Sequence, residues 1–244
     1  MLKNSLNDIQ KNAVISDDEV IVIRAGAGSG KTRVITHRVA YLIREKKVKP
    51  SEIVCVTFTN KAAREMLERI KTMLADDNLS EMPVVTTFHS YSLSLIRRFG
   101  SLKNFAHFSI MNDDDQTALI KRIMQEYGSS DKEFTPRAIL SYIGSVKNGF
   151  LQSTLEYPQE KKLQLDTFYQ LYEREKYNCH AFDFDDLLIK ALELIKEPHI
   201  KMILQSMISH VLVDEYQDTN IVQHNMIREL AYDNDKKFAL KSLC

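Results

Sequence analysis

The chain has 244 residues, of which 44% are hydrophobic and 27% charged, the balance of an ordinary folded globular protein rather than a disordered one. Its 33 basic and 33 acidic residues cancel to a formal net charge of +0, so any nucleic-acid contact must come from local patches, not a global field. The three cysteines (Cys55, Cys179, Cys244) form neither a C-x-x-C pair nor an even set, which speaks against a disulfide framework or zinc site and fits a reducing cytoplasmic setting; no apolar run is long enough to span a membrane, and Met1 to Asp8 lacks an apolar signal core.

In chain order, Ser5 and Asp8 can cap a short first helix. The β-branched run Glu19-Val20-Ile21-Val22-Ile23 reads as a buried strand. A small-residue loop, Ala25 to Gly30, leads into a helix from Lys31 to about Lys46. The stretch from Arg33 to Lys49 sets Arg33, Arg38, Arg44, Lys46, Lys47 and Lys49 against Glu45 alone, and reads equally as a basic patch or a solvated helix face. Pro50 and Ser51 punctuate the chain before a strand over 53–58. Asn60 then caps a helix to about Leu74, Val84 to Thr87 forms another strand, and a helix lies around Tyr91 to Arg98. Strand and helix thus alternate three times, the signature of a parallel sheet covered by helices.

From about 101 to 196 helical periodicity dominates. Helices are expected over 115–127, from Thr135-Pro136 with proline in the first turn, over 161–176 and over 185–195. A further helix over 200–208 precedes a strand, Val211-Leu212-Val213, and a last helix runs from Asn220 to about Tyr232.

The strongest chemical signal is Ala25-Gly26-Ala27-Gly28-Ser29-Gly30-Lys31-Thr32, a G-x-x-x-x-G-K-[ST] phosphate loop with Ala25 in place of the first glycine. Glycines let successive backbone N–H groups turn inward around phosphate oxygens, and the following helix adds its positive N-terminus. Lys31 supplies a charge for the β- and γ-phosphates of ATP, and the Thr32 hydroxyl can ligate Mg²⁺. The second half of such a site is a carboxylate at the end of a neighbouring strand. Val211-Leu212-Val213-Asp214-Glu215 supplies it, with Asp214 for Mg²⁺ and Glu215 to orient or deprotonate the attacking water. Lys31 and Glu215 are therefore the catalytic candidates. The expected fold is α/β: a P-loop NTPase (RecA-like) parallel sheet with a helical insertion subdomain. Residues 1–100 would form the first part of the ATPase core, 101–196 the insertion, 197–232 the second part, and 233–244 an atypical end.

Several further segments make the chain resemble superfamily 1 helicases of the UvrD/Rep/PcrA type. Leu6-Asn7-Asp8-Ile9-Gln10 resembles that family's adenine-reading Q motif, and Ala25 to Arg33 its motif I. Thr57-Phe58-Thr59-Asn60-Lys61-Ala62-Ala63-Arg64-Glu65-Met66 is similar to motif Ia, and Thr87-Phe88-His89-Ser90 to motif Ib. Phe182-Asp183-Phe184-Asp185-Asp186-Leu187 resembles another family segment, and Val213 to Asn220 motif II. The resemblance implies that Gln10 hydrogen-bonds adenine and Arg33 packs near the base. Phe58 would stack on single-stranded DNA, with Thr59, Asn60, Lys61, Thr87 and His89 along the DNA path. From the residues alone, Phe58 reads as well as core, His89 as a helix cap, and Asp183, Asp185 and Asp186 as a helix start rather than metal ligands.

The resemblance further implies ATP and Mg²⁺ as cofactors, 3′-to-5′ translocation, and single-stranded DNA and single-strand/duplex junctions as partners, with no membrane. It also implies a strand and a Gln-bearing motif III after motif II, where this chain reads Asp233-Asn234-Asp235-Lys236-Lys237 and ends at Cys244. The expectation is an N-terminal fragment, with a separately encoded C-terminal helicase fragment as a partner, or an ATP- and DNA-binding remnant without turnover from a frameshifted or split gene. A small-molecule P-loop kinase is disfavoured by the DNA-motif segments, and a helicase–nuclease subunit by length.

Overall fold

The computed structural model describes residues 6–24, 26, 28–103, 105, 107–128, 134–149 and 157–231. Two compact units emerge, one from the residues up to Tyr91 together with those from Glu193, the other from Ser92–Leu192.

In the first unit, α1 (Asp8–Ile15) starts at Asn7. Asn7 Oδ1 accepts from the Gln10 amide at 2.9 Å, and Gln10 Oε1 accepts from the Asn7 amide at 3.0 Å, a reciprocal capping box. Asn7 is thus the cap, while Ser5 lies outside the described residues. The strand expected at 19–23 is not formed among the described residues. Ile21 is buried and Ile23 packs against the same core, whereas Val20 and Val22 are 44% and 56% exposed. The alternation is that of a strand with one buried face. β-branched residues express strand propensity only where a neighbour completes the ladder, and none is described here.

Next come α2 (Lys31–Arg44), β1 (Ile53–Thr57), α3 (Asn60–Met73), β2 (Val84–Thr87) and α4 (Phe88–Phe99), which begins in this unit. Thr59, not Asn60, caps α3, its hydroxyl accepting from the Ala62 amide at 3.1 Å. Both residues are good caps; the extended backbone of Thr59 decides between them.

In the second unit β3 (Ser109–Ile110) pairs in parallel with β4 (Ala181–Phe182). Between them lie α5 (Asp113–Tyr127), α6 (Pro136–Lys147) and α7 (Gln159–Asn178). α8 (Phe184–Ile195) follows, and the first unit resumes with α9 (Pro198–Met207), β5 (His210–Val213) and α10 (Ile221–Ala231). Tyr232 and the tail 233–244 lie outside the described residues.

The first unit is organised on a parallel sheet of order β2-β1-β5. β1 reads Ile-Val-Cys-Val-Thr without alternation and is buried at every position, as a central parallel strand covered on both faces must be. Ile35, Val39 and Leu42 of α2 join Met66 and Ile70 of α3 in one core with Ile53, Cys55 and Leu212. The Cys55 thiol, sealed in that core, is pushed up to about 12 by burial and by the Asp214 charge, and is chemically inert.

The basic run from Arg33 to Lys49 forms no continuous patch. Arg38 is buried, Arg44 forks onto Asp77 at 2.6–3.0 Å, and Lys46 pairs with Asp17 at 2.7 Å. Lys49 stands 3.7 Å from Glu52. The neutralising carboxylates sit before and after the run in sequence, which is why the run looked unopposed.

The second unit has its own core, where Ile120, Ile139, Tyr142, Leu165, Phe168 and Tyr172 of α5, α6 and α7 meet. Below it lies a buried ionic knot. Lys147 Nζ contacts Asp183 Oδ2 (2.6 Å), Asp186 Oδ1 (2.8 Å) and Glu173 Oε1 (2.8 Å). Lys176 Nζ contacts the same three carboxylates at 2.5–3.0 Å. Asp183 and Asp186 also accept from each other's amides at the start of α8. Burial alone would raise the Asp183 carboxyl; the two ammoniums outweigh it and hold it well below the usual carboxylate range. Two lysines thus fill the centre of the acidic cluster.

Candidate functional site

The three sheet strands run parallel, so their carboxyl ends lie at one edge, where open α/β sheets bind ligands. At the end of β5, the Asp214 amide donates to Val56 O of β1 at 2.9 Å, which fixes the carboxylate beside the phosphate loop. Ala25 and Ala27 lie outside the described residues. Gly26 O accepts from the Ser29 amide at 3.2 Å in a turn that leads into α2. Gly28 and Gly30 have φ of +75° and +88°, a left-handed backbone that side chains resist. A Cβ on Gly30 would also stand 3.2 Å from Gln10 Nε2.

Thr32 Oγ1 donates to Asp214 Oδ2 at 3.2 Å, across 182 positions of sequence. Asp214 is 6% exposed, and its Oδ1 has no hydrogen-bond partner among the described residues. A buried carboxylate oxygen left unsatisfied, next to a hydroxyl, offers oxygen donors that could hold a hard cation. Burial raises the Asp214 pKa, the Glu215 charge adds to that, and the Thr32 hydrogen bond and Lys31 oppose it. Lys31 Nζ lies 3.1 Å from Glu215 Oε2. Glu215 holds a left-handed backbone (φ 53°, ψ 47°), rare and strained for a non-glycine residue, which turns its carboxylate toward the loop. Its pKa is lowered by hydrogen bonds from Gln217 and Lys31. The site therefore sets a partly exposed carboxylate whose pKa is lowered beside a buried one whose pKa is raised.

Beside the loop is a cavity of about 470 Å³, lined among others by Asn7, Gln10, Val22, Arg24, Ser29 and Lys31. Gln10 Nε2 donates to Ser29 O at 2.9 Å, tying α1 to the loop. Arg33 lies on the first turn of α2 and borders a different groove, with His37 and Arg69.

The register Thr57↔Thr87 brings the segments after β1 and β2 side by side. Phe58 is half-buried, its ring centroid 5.6 Å from that of Phe88 at 62°. Thr59, Asn60 and Lys61 are exposed, with Lys61 Nζ 4.0 Å from Glu65. Thr87 is buried and caps α4, accepting from the Ser90 amide at 3.2 Å, and His89 is half-buried in that first turn. These residues gather at the strand edge that also carries the phosphate loop and Asp214.

Sequence reasoning missed Asn7 as the residue orienting Gln10, although N-x-x-Q before a helix is a readable capping signature. It also missed Val22 and Arg24 as cavity walls, a placement that no local pattern encodes.

The family described as UvrD/REP helicase N-terminal domain matches residues 6–240. The chain is 39% identical over 246 residues to the ATP-dependent DNA helicase PcrA of Bacillus subtilis (strain 168), covering 94% of this chain and 32% of that protein. It is 37% identical over 251 residues to the PcrA of Staphylococcus aureus strain Mu50, covering 100% of this chain and 33% of the relative. To the PcrA of Leuconostoc citreum it is 36% identical over 240 residues, covering 94% of this chain and 31% of the relative. The chain spans about a third of the length of these curated relatives.

Proposed function

The chain belongs to the UvrD/REP helicase N-terminal domain family, and from that premise we propose that it is the ATP-binding part of an ATP-dependent DNA helicase. In this reading ATP hydrolysis drives 3′-to-5′ movement on single-stranded DNA and unwinding at single-strand/duplex junctions. The observation that carries it is the meeting of Thr32 with Asp214, and of Lys31 with Glu215, at the carboxyl edge of a parallel sheet.

The backbone around Gly26 to Gly30 and the N-terminus of α2 receive the phosphates, and Lys31 places its ammonium on the β- and γ-phosphates. Thr32 and Asp214 would hold Mg²⁺, and the idle Asp214 Oδ1 supports that role. When bound, the ion supplies charge neutralisation to the phosphate oxygens. Glu215 orients the attacking water and takes its proton. Gln10 reads the base from the wall of the cavity, whereas Arg33, expected near the base, borders a separate groove. Phe58 stacks on a base of single-stranded DNA, and Thr59, Asn60, Lys61, Thr87 and His89 follow its backbone. The unit Ser92–Leu192 is the helical insertion of a RecA-like core. A second motor domain, in the same or a separate polypeptide, faces the phosphates and supplies transition-state charge, a contribution of about 10³–10⁵ in rate where an arginine does so.

The test is fluorescence anisotropy with a labelled oligothymidylate and this 244-residue chain, across a salt series. Binding should be weak and fall steeply with salt, because phosphate contacts release counterions. Nucleotide binding without any DNA binding at low salt would contradict the helicase assignment.

A further inference from the structure

Arg38 lies in the middle of α2 with 1% of its surface exposed. Its Nη1 donates to the carbonyl of Val14, and its guanidinium stands 5.4 Å from the centroid of the Tyr41 ring. Nε and Nη2 have no hydrogen-bond partner among the described residues. A buried cation with two idle donors is an expensive occupant, since burial penalises the charge and each lost hydrogen bond to water is unreplaced. An apolar side chain of the same length would fill this space without that penalty.

Besides the Tyr41 ring and the nearby Asp17 charge, what the arginine gains is one carbonyl at a particular place. Val14 belongs to the last turn of α1, where carbonyls have no intrahelical partner and the helix dipole is negative. At the other end of α1, Gln10 Nε2 holds Ser29 O at 2.9 Å. The eight-residue α1, about 12 Å long at 1.5 Å per residue, is therefore pinned to α2 at one end and to the phosphate loop at the other. Leu6, Val14 and Val34 cluster between the two helices. Just past α1, the pair of Asp17 with Lys46 ties the following turn to the end of α2.

The two halves of a bound nucleotide depend on this joint differently. The phosphates would meet the loop and Lys31, which belong to α2 and its N-terminal lead. The nucleoside would meet a cavity whose walls are shared between α1 (Gln10, Ala13) and α2 with its lead (Ser29, Lys31). Loosening α1 against α2 alters the second set of contacts and leaves the first intact.

We infer that Arg38 is a positioning residue that sets affinity for the nucleoside half of the ligand, by holding the C-terminal end of α1 on α2 and so fixing Gln10 beside Ser29. This rests on the nucleotide site proposed above. The experiment is calorimetric titration of MgATP and of Mg-tripolyphosphate, which lacks the nucleoside, into the chain and its Arg38→Met variant, with thermal melting alongside. MgATP affinity should fall about fivefold to tenfold, as for loss of one charge-assisted hydrogen bond felt in part at the site. Tripolyphosphate affinity should stay within about twofold, and Tm should not fall, because the swap removes a poorly satisfied buried charge. Arg38→Lys, which keeps a donor and the charge, should recover at least about half of the loss. In the Gln10→Ala background, Arg38→Met should add little, since both act on the same contact. Proportional loss of both ligands, unchanged MgATP affinity, an unfolded Arg38→Met chain or no recovery in Arg38→Lys would each overturn the inference. Lys31→Ala reports separately on the site itself, since it should lose both ligands.

Discussion

Lys31 Nζ and Glu215 Oε2 stand 3.1 Å apart. In the proposed site the cation assigned to phosphate is thus paired with the carboxylate assigned to water, and a nucleotide bound there would part them. The Glu215 side chain is 42% exposed, so the pair is solvent-screened and of the kind worth about 0–1 kcal/mol.

Removing that competition should tighten binding. Glu215→Gln keeps the shape, removes the ion pair with Lys31 and takes away a negative charge near the proposed phosphate site. MgATP affinity should rise about twofold to fivefold. Calorimetry on the two chains checks this, and weaker binding in Glu215→Gln would show that the pair assists the site.

Asp214 should trade stability for cation binding. Its folded pKa is raised, chiefly by burial. A raised carboxyl contributes stability that is present below the unfolded value, about 3.9, and is lost as pH rises through the folded pKa. At neutral pH the buried Asp214 carboxylate therefore works against stability. Asp214→Asn should raise the Tm of the metal-free chain at pH 7 and abolish the Mg²⁺ dependence of ATP binding. In the unaltered chain, Mg²⁺-dependent affinity should fall on acidification at a higher pH than an ordinary aspartate would give. Thermal melts and titrations across pH 4–8 read both.

Phe58→Ala should weaken binding of single-stranded DNA by about 1–3 kcal/mol if a base stacks on that ring. The half-buried edge contact with Phe88 leaves the ring partly available. Anisotropy with the same oligothymidylate, on a variant whose circular dichroism is unchanged, measures it; equal affinity would remove Phe58 from the DNA path.

The ionic knot in the second unit should be brittle. Asp183→Asn leaves two buried ammoniums short of a counter-charge, and breaking a buried pair in this way typically costs about 3–5 kcal/mol. Because Asp183 is held below the usual carboxylate range, its stabilising contribution is present above about pH 3.9 and lost as pH falls through the lower folded value. Urea unfolding at pH 7 and at pH 3 checks both the magnitude and the sign.

The parts of this protein legible in the sequence are those whose chemistry is written in a few adjacent residues. The glycines before Lys31-Thr32, and Asp214-Glu215 after an apolar run, announce themselves because their physical task fixes their spacing. Their meeting needs the sheet order β2-β1-β5, which alternation of strands and helices suggests but does not number. Helix caps slipped by a residue or two, from Ser5 to Asn7 and from Asn60 to Thr59, because neighbouring polar residues cap equally well until the backbone chooses. The pairing of Ser109–Ile110 with Ala181–Phe182 was invisible, as two-residue strands have no period. So was the knot around Lys147, whose carboxylates come from α7 and the start of α8. The basic run beginning at Arg33 looked like a patch because Asp17 and Asp77 lie outside it in sequence and against it in space.

That Lys31, Thr32 and Asp214 form a nucleotide-phosphate site is tested most directly by calorimetric titration of MgATP into the 244-residue chain and its Lys31→Ala variant. Such a site gives measurable binding that falls by about a hundredfold or more in Lys31→Ala, the scale of a lost charge-assisted contact to phosphate. Equal affinity in the two chains would contradict it.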